Sequence, residues 1–403
     1  MTAIYLVLTI LSLFTCMLPA GVFSVIWEPI SENLTVGVPY IAILRVLLAA
    51  GIIVAVVLSD RIHAYVMIRD IVIGAAALEA LSLLGFSLSR VFWNLCVWSL
   101  CLGIGLGMGA SLLSRIVRHS GRRYSQIIFA GGACGIAAGI WILSFVMARG
   151  GGWRTACQIL AVFQVLLCLL HFSLRRKSRR DYSEMIRKME RERNRDRSGK
   201  RQEKIRTDGE LDERFAPRYF RRVLCCYLAC VLCCILILGT ILWPGAYIAA
   251  EGRGVLSSVT CALLTVGGLA AGRILFWLLP LSEKAKRILP GILTVLVTAA
   301  AVWPVYSGAG AWQLGILQFA VGAAAGPVFP VLILTDDERL DEEAQDSLLG
   351  LMPAFYFGGW ALITPLTQSL VGSAQEEWFA LWLLAAAAAM TVCLALARKR
   401  MKR

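Results

Sequence analysis

RRKSRRDYSEMIRKMERERNRDRSGKRQEKIRTDGELDERFAPRYFRR, residues 175–222, decides how this chain is read. The stretch holds 29 of the chain's 66 charges and separates two flanks of nearly equal length. Each flank is written as apolar stretches about 20 residues long, the length that a helix rising about 1.5 Å per residue needs to cross ~30 Å of hydrocarbon. The boundaries are an N-terminal membrane half at 1–174, a charged linker at 175–222 and a C-terminal membrane half at 223–403.

Working outward, stretches with little or no charge fall at 3–27, 38–59, 70–88, 91–114, 124–148, 155–173, 223–248, 255–281, 288–305, 312–335, 347–371 and 378–397. That is twelve spans, six on each side of the linker. The division between the ninth and tenth rests on the Gly-rich turn YSGAGAWQ, inside a charge-free run from Ile288 to Thr335. The first stretch, Ile4 to Trp27, is too long for a signal-peptide core and no basic residue precedes it, so a retained span is expected.

Basic residues test this count. With both termini inside, the inner segments hold 34 Lys and Arg, 19 of them in the linker, and the outer loops hold only Arg90, Arg149, Arg154 and Arg253. The bias toward one side predicts a plasma (inner) membrane protein with both termini cytoplasmic. It also explains the net charge of +14 without a nucleic-acid partner, because the bases sit between hydrophobic spans instead of on a folded basic domain. The linker contains a polar helical stretch near Asp181 to Arg197, and its bases lie close enough to the inner leaflet to meet anionic lipid.

Composition narrows the chemistry further. The chain is 58% hydrophobic with a mean hydropathy of +0.72, more apolar than a soluble core requires. Most of its 13 cysteines lie inside apolar spans, where a thiol behaves as a small hydrophobe. Cys226, Cys230 and Cys233 have the CxxxCxxC spacing of an iron–sulfur ligand set, yet they stand in CCYLACVLCCILIL, which reads as a membrane helix. No cofactor or metal is expected, and no span carries the His/Asp/Glu constellation that an enzyme would need.

The two halves repeat. LSDR at 58–61 returns as LSEK at 281–284, Gly135 meets Gly359, and Trp153 meets Trp378, all at nearly the same offset. A parallel duplication of this kind encloses a central cavity between two six-helix bundles. With Asp60 and Arg61 after span two, GIGLGMG at 103–109, GGACGIAAG at 131–139, GWR at 152–154 and GPVFP at 326–330, the chain resembles the major facilitator superfamily over almost its whole length. The resemblance implies an all-α polytopic fold of twelve transmembrane helices in two pseudo-symmetric six-helix bundles. It further implies secondary active transport by alternating access, with spans one, four, seven and ten lining the cavity. Asp60, Arg61, Glu283 and Lys284 would lock one conformation from the short inner loops. The chain departs from the family pattern at Val56 and His63, where the loop motif has glycine, and at Ile136, where the antiporter signature has proline.

Arg45, Glu79 and Arg273 are the charges that fall clearly inside spans. A charge at a helix centre costs roughly 2.5–3.5 kcal/mol on insertion scales, so each needs a partner or a task. Counted from the inner loops, Glu79 and Arg273 each lie about 14 Å deep and Arg45 about 22 Å. Arg45 and Glu79 are expected to pair if spans two and three are neighbours. Arg273 is then left to bind a small carboxylate or oxyanion through its planar fork, or to bond to backbone carbonyls. Glu79 is the candidate for proton coupling, with a counter-anion as the other coupling species.

An arginine in span eight resembles anion-carrying branches of the superfamily such as oxalate:formate antiporters. GPVFP with Trp243, Tyr247, Tyr356 and Trp360 equally resembles sugar-type permeases, in which aromatics stack on the substrate. Cargo therefore reads first as a small anion, held by Arg273, Arg45 and these aromatics. The alternatives are a neutral or cationic solute and a non-transporting sensor with the linker as its output element. A monomer is expected. His63, His119 and His171 fall near the inner surface and read as solvated or interfacial.

Green fluorescent protein fused within the linker and after the C-terminus will fluoresce, and alkaline phosphatase fused there will be inactive. The opposite pattern at either site breaks the twelve-span orientation.

Overall fold

The computed structural model describes residues 3–37, 40–63, 68–120, 124–173, 217–250, 258–280, 283–307, 311–333, 351–363 and 376–398, and among these it is all-helical. Nine described helices are long and apolar enough to cross a membrane: Leu6–Asn33, Ile41–Leu58, Asp70–Leu88, Phe92–Ser111, Ser125–Ala148, Trp153–Ser173, Val223–Thr240, Val259–Leu278 and Trp312–Leu332. Shorter apolar helices, Ile288–Val302, Leu351–Ile363 and Leu381–Leu396, stand where spans nine, eleven and twelve are expected. Numbered in chain order, these twelve are the spans used below. The turn between spans nine and ten is bracketed by helices ending at Ser307 and starting at Ala311.

Two spans are broken, and proline breaks both. Span one passes from a helix at Ala3–Met17 through a 3-10 turn at Leu18–Gly21 into a second helix, Phe23–Asn33. It runs past the expected end at Trp27 because Glu28 and Glu32 belong to that outer helix. Span ten stops at Ala325 and restarts at Val328 across Gly326 and Pro327. Pro19 has no N–H to give the Thr15 carbonyl, and Pro330 has none for Gly326. Each break leaves a main-chain oxygen without its donor four residues on, deep in the protein.

Lipid tails are as apolar as leucine, so helices associate through close contact and not through hydrophobic expulsion. Span four shows this best. Gly103 and Gly107 lie against the backbone of span two at Leu48 and Ile52, Gly105 against Glu79 on span three, and Gly109 against Cys16 on span one. A Cβ at Gly107 would lie 2.6 Å from the Ile52 carbonyl oxygen. The glycine run is thus a four-way junction, and span four lies along span two where span three was expected.

The second half repeats the contact. Gly322 and Gly326 of span ten meet Thr265 and Leu269 of span eight, while Gly268 and Gly272 of span eight meet Phe319 and Ala323. In both halves the contact recurs every four residues, at Gly103–Leu48 and Gly107–Ile52 in the first and at Gly322–Thr265 and Gly326–Leu269 in the second. Gly135 and Gly359 also make equivalent contacts, against Phe14 of span one and Val231 of span seven. Cys226, Cys230 and Cys233 pack into the hydrophobic core of the second half. Spans five and eight carry the main contact between halves.

Replacing Gly107 by leucine overpacks the span two contact and should cost about 1–3 kcal/mol or more. Gly152→Ala, with open space around its Cβ, is the neutral control. Thermal unfolding of the detergent-purified protein measures both.

Candidate functional site

The freed Gly326 carbonyl finds its donor on span eight. Arg273 donates from Nε to Gly326 O at 2.9 Å and from Nη1 to Phe129 O at 2.7 Å. Span five supplies Phe129, so one buried guanidinium touches both halves. The Gln126 amide, one turn earlier on span five, donates to Pro327 O at 3.3 Å. The rings of Phe129 and Phe329 close edge to face across the seam at 5.6 Å, and the guanidinium lies 5.7 Å from the Phe129 ring centre. All of this sits toward the end of the bundle that bears the linker, where span five begins and span eight ends.

Arg273 uses two of its five N–H donors on these carbonyls, and its remaining N–H groups stay available for another acceptor. Span eleven extends the site. Tyr356 lies 4.5 Å from the Phe329 ring and its phenol is close enough to Arg273 to interact electrostatically. Phe357 and Trp360 continue the aromatic series at 5.3 and 6.0 Å. Arg273, Tyr356 and Trp360 are thereby brought to one region. Trp243 and Tyr247 stand in the span seven helix as expected, whereas Asp60 and Arg61, expected in the loop after span two, lie in the last turn of the helix Ile41–His63, and Glu283 and Lys284 open the helix Glu283–Ser307; the side chains of all six lie outside the described set.

Glu79 belongs to a separate cluster within the first half. It is fully buried and accepts from the Gln164 amide of span six. The same amide nitrogen donates to Thr15 O at 3.0 Å, the carbonyl that Pro19 leaves free on span one. Thr15 Oγ1 donates to Leu11 O at 2.8 Å and bonds to His171 Nε2 at 3.2 Å. His171 is 2% exposed, which corrects the expectation of a solvated or interfacial histidine: its ring packs against Thr15 of span one.

The expected Arg45–Glu79 pair is not formed. No ion pair joins described residues at that place, and the glycine face of span four lies between spans two and three. Arg45 is buried on span two, apart from the Arg273 cluster, and makes no hydrogen bond with another described residue.

Gln126, Phe129, Thr15, Gln164 and His171 were not singled out in the sequence as site residues. Gln126 and Gln164 carried a readable signal, since an amide within an apolar span needs a partner as a charge does. Phe129 carried none, because its contribution is a main-chain oxygen.

The comparisons with known proteins agree with the fold. A family model described as Major Facilitator Superfamily matches residues 8–364. Among solved structures, the proton:xylose symporter XylE bound to 6-bromo-6-deoxy-D-glucose aligns with a TM-score of 0.72 at 12% identity, covering 97% of this chain and 93% of that one. No curated protein matches the sequence.

Arg273→Met removes two charge-assisted bonds and strands the Gly326 carbonyl, for a loss of about 1.5–3 kcal/mol. Arg45→Met removes a buried charge that has no described partner and should leave stability unchanged or raised. Thermal unfolding of the two variants side by side tests the contrast.

Proposed function

This chain belongs to the Major Facilitator Superfamily, whose multi-pass members are secondary transporters working by alternating access, and we propose that its cargo is a small carboxylate or inorganic oxyanion held by Arg273. One observation carries the reading: a buried guanidinium with unused donors stands at the contact between the two halves. That contact must open and close if a solute is to be passed between them. A planar fork suits a carboxylate or oxyanion in bidentate fashion. An arriving anion would take Arg273 in place of the Phe129 carbonyl, which ties cargo binding to release of the seam.

Trp243, Tyr247, Tyr356 and Trp360 complete the proposed binding region, from which Arg45 stands apart on span two, and Asp60, Arg61, Glu283 and Lys284 the inner gate. The same reading makes the protein a monomer of the plasma membrane with the linker and both termini cytoplasmic. The linker bases would meet anionic lipid, and a proton or counter-anion would supply the driving gradient.

A second reading has specific support. The similar solved structure is a sugar symporter, and the series Phe329, Tyr356, Phe357 and Trp360 offers faces on which a neutral sugar can stack.

Proteoliposome uptake of carboxylates, nitrate, phosphate and sugars decides between the two. Arg273→Ala should lower anion uptake about ten-fold or more while Tyr356→Ala spares part of it. Sugar uptake that survives Arg273→Ala and is abolished by Trp360→Ala would instead establish the aromatic reading.

A further inference from the structure

We propose that Glu79 and Gln164 form a proton-binding site inside the first half, built as a carboxyl–amide pair and separate from the cargo region around Arg273. The inference begins with hydrogen-bond accounting. Gln164 Nε2 spends its two hydrogens on Glu79 Oε2 and on Thr15 O. That pins the amide, because turning it over would set an oxygen against two acceptors. Each partner is left with one buried oxygen that has no hydrogen-bond partner, Oε1 of Glu79 and Oε1 of Gln164.

Two acceptors and no donor is a costly arrangement in a low-dielectric interior. One proton resolves it. Taken up from water by the Glu79 carboxylate, it forms an O–H bond, removes the negative charge and supplies the donor that the pair lacks. A carboxylic acid and a primary amide can close two complementary hydrogen bonds, and one of them is already made here.

The surroundings suit a proton better than a metal cation. Glu79 is faced by Cys16 from span one, by Gln164 from span six and by the backbone at Gly105 from span four. Cys168 touches Ile73, and His171 bonds to Thr15, both toward the linker end. Asp70 stands at that end of span three. Among the described residues no group of three His, Cys, Asp or Glu side chains could hold a metal ion. The cluster also ties spans one, three and six together, and span one is itself broken at Pro19 beside it. Protonation of Glu79 thus acts on the span whose break lies closest, which deepens the transport reading by giving it a coupling site.

Infrared difference spectroscopy of the full-length purified protein, stepped between acidic and alkaline buffer, reads the proton without any cargo. The wild type should show a carboxylic acid C=O band that shifts in heavy water. Glu79→Gln, nearly identical in shape, should lose it, and Gln164→Leu should move its frequency. Pro19→Ala offers an independent variant: it restores a main-chain donor to the Thr15 carbonyl, loosens the amide and should also move the band. A band retained in Glu79→Gln, or unmoved in both other variants, overturns the proposal. So does a band removed by sodium chloride and not by choline chloride at fixed pH, which would assign the site to sodium. Because the readout needs no transported solute, it stands whether or not anion uptake is found.

Discussion

Inside hydrocarbon a carbonyl oxygen without a donor has no water to turn to, and prolines within the spans of this chain create such oxygens, two of them at the candidate sites. Pro19 frees Thr15 O and Pro330 frees Gly326 O. Each is met by a polar side chain from another span, Gln164 in the first case and Arg273 in the second. The same solution is used in both halves, and again on span seven, where Pro244 frees Thr240 O and the Gln318 amide of span ten donates to it at 3.3 Å. In each case the freed carbonyl and the buried donor satisfy one another, and both candidate sites grow from the first two exchanges.

Close packing makes the exchanges possible. Glycines 103, 105, 107 and 109 let span four approach three neighbours, and glycines 268, 272, 322 and 326 do the same for spans eight and ten. With backbones this near, the Arg273 side chain can reach past its own half to Phe129. The contact between halves then combines the packing of spans five and eight with a few directed bonds and one aromatic pair, Phe129 with Phe329.

Much of the fold was legible because it is written in long-range composition. Span length, the charged linker and the one-sided distribution of Lys and Arg follow from the bilayer's thickness and the cost of charge within it, which act on each segment separately. Arg273, Glu79 and Arg45 could be singled out for the same reason. Their partners could not. Pairing Arg45 with Glu79 assumed that consecutive spans pack together, whereas the glycines of span four place that helix between them.

By itself the sequence determined a twelve-span membrane protein of two related halves, with three charges that had to be explained. Hydropathy and charge decide insertion one segment at a time, so no knowledge of neighbours was needed. Only the tertiary structure decided that Arg273 bridges the halves through the Phe129 and Gly326 carbonyls, that Glu79 belongs to Gln164, and that His171 is buried. Those outcomes depend on which main-chain oxygens proline leaves free and which helix faces glycine brings into reach. Both are properties of pairs of spans, and no single span encodes them.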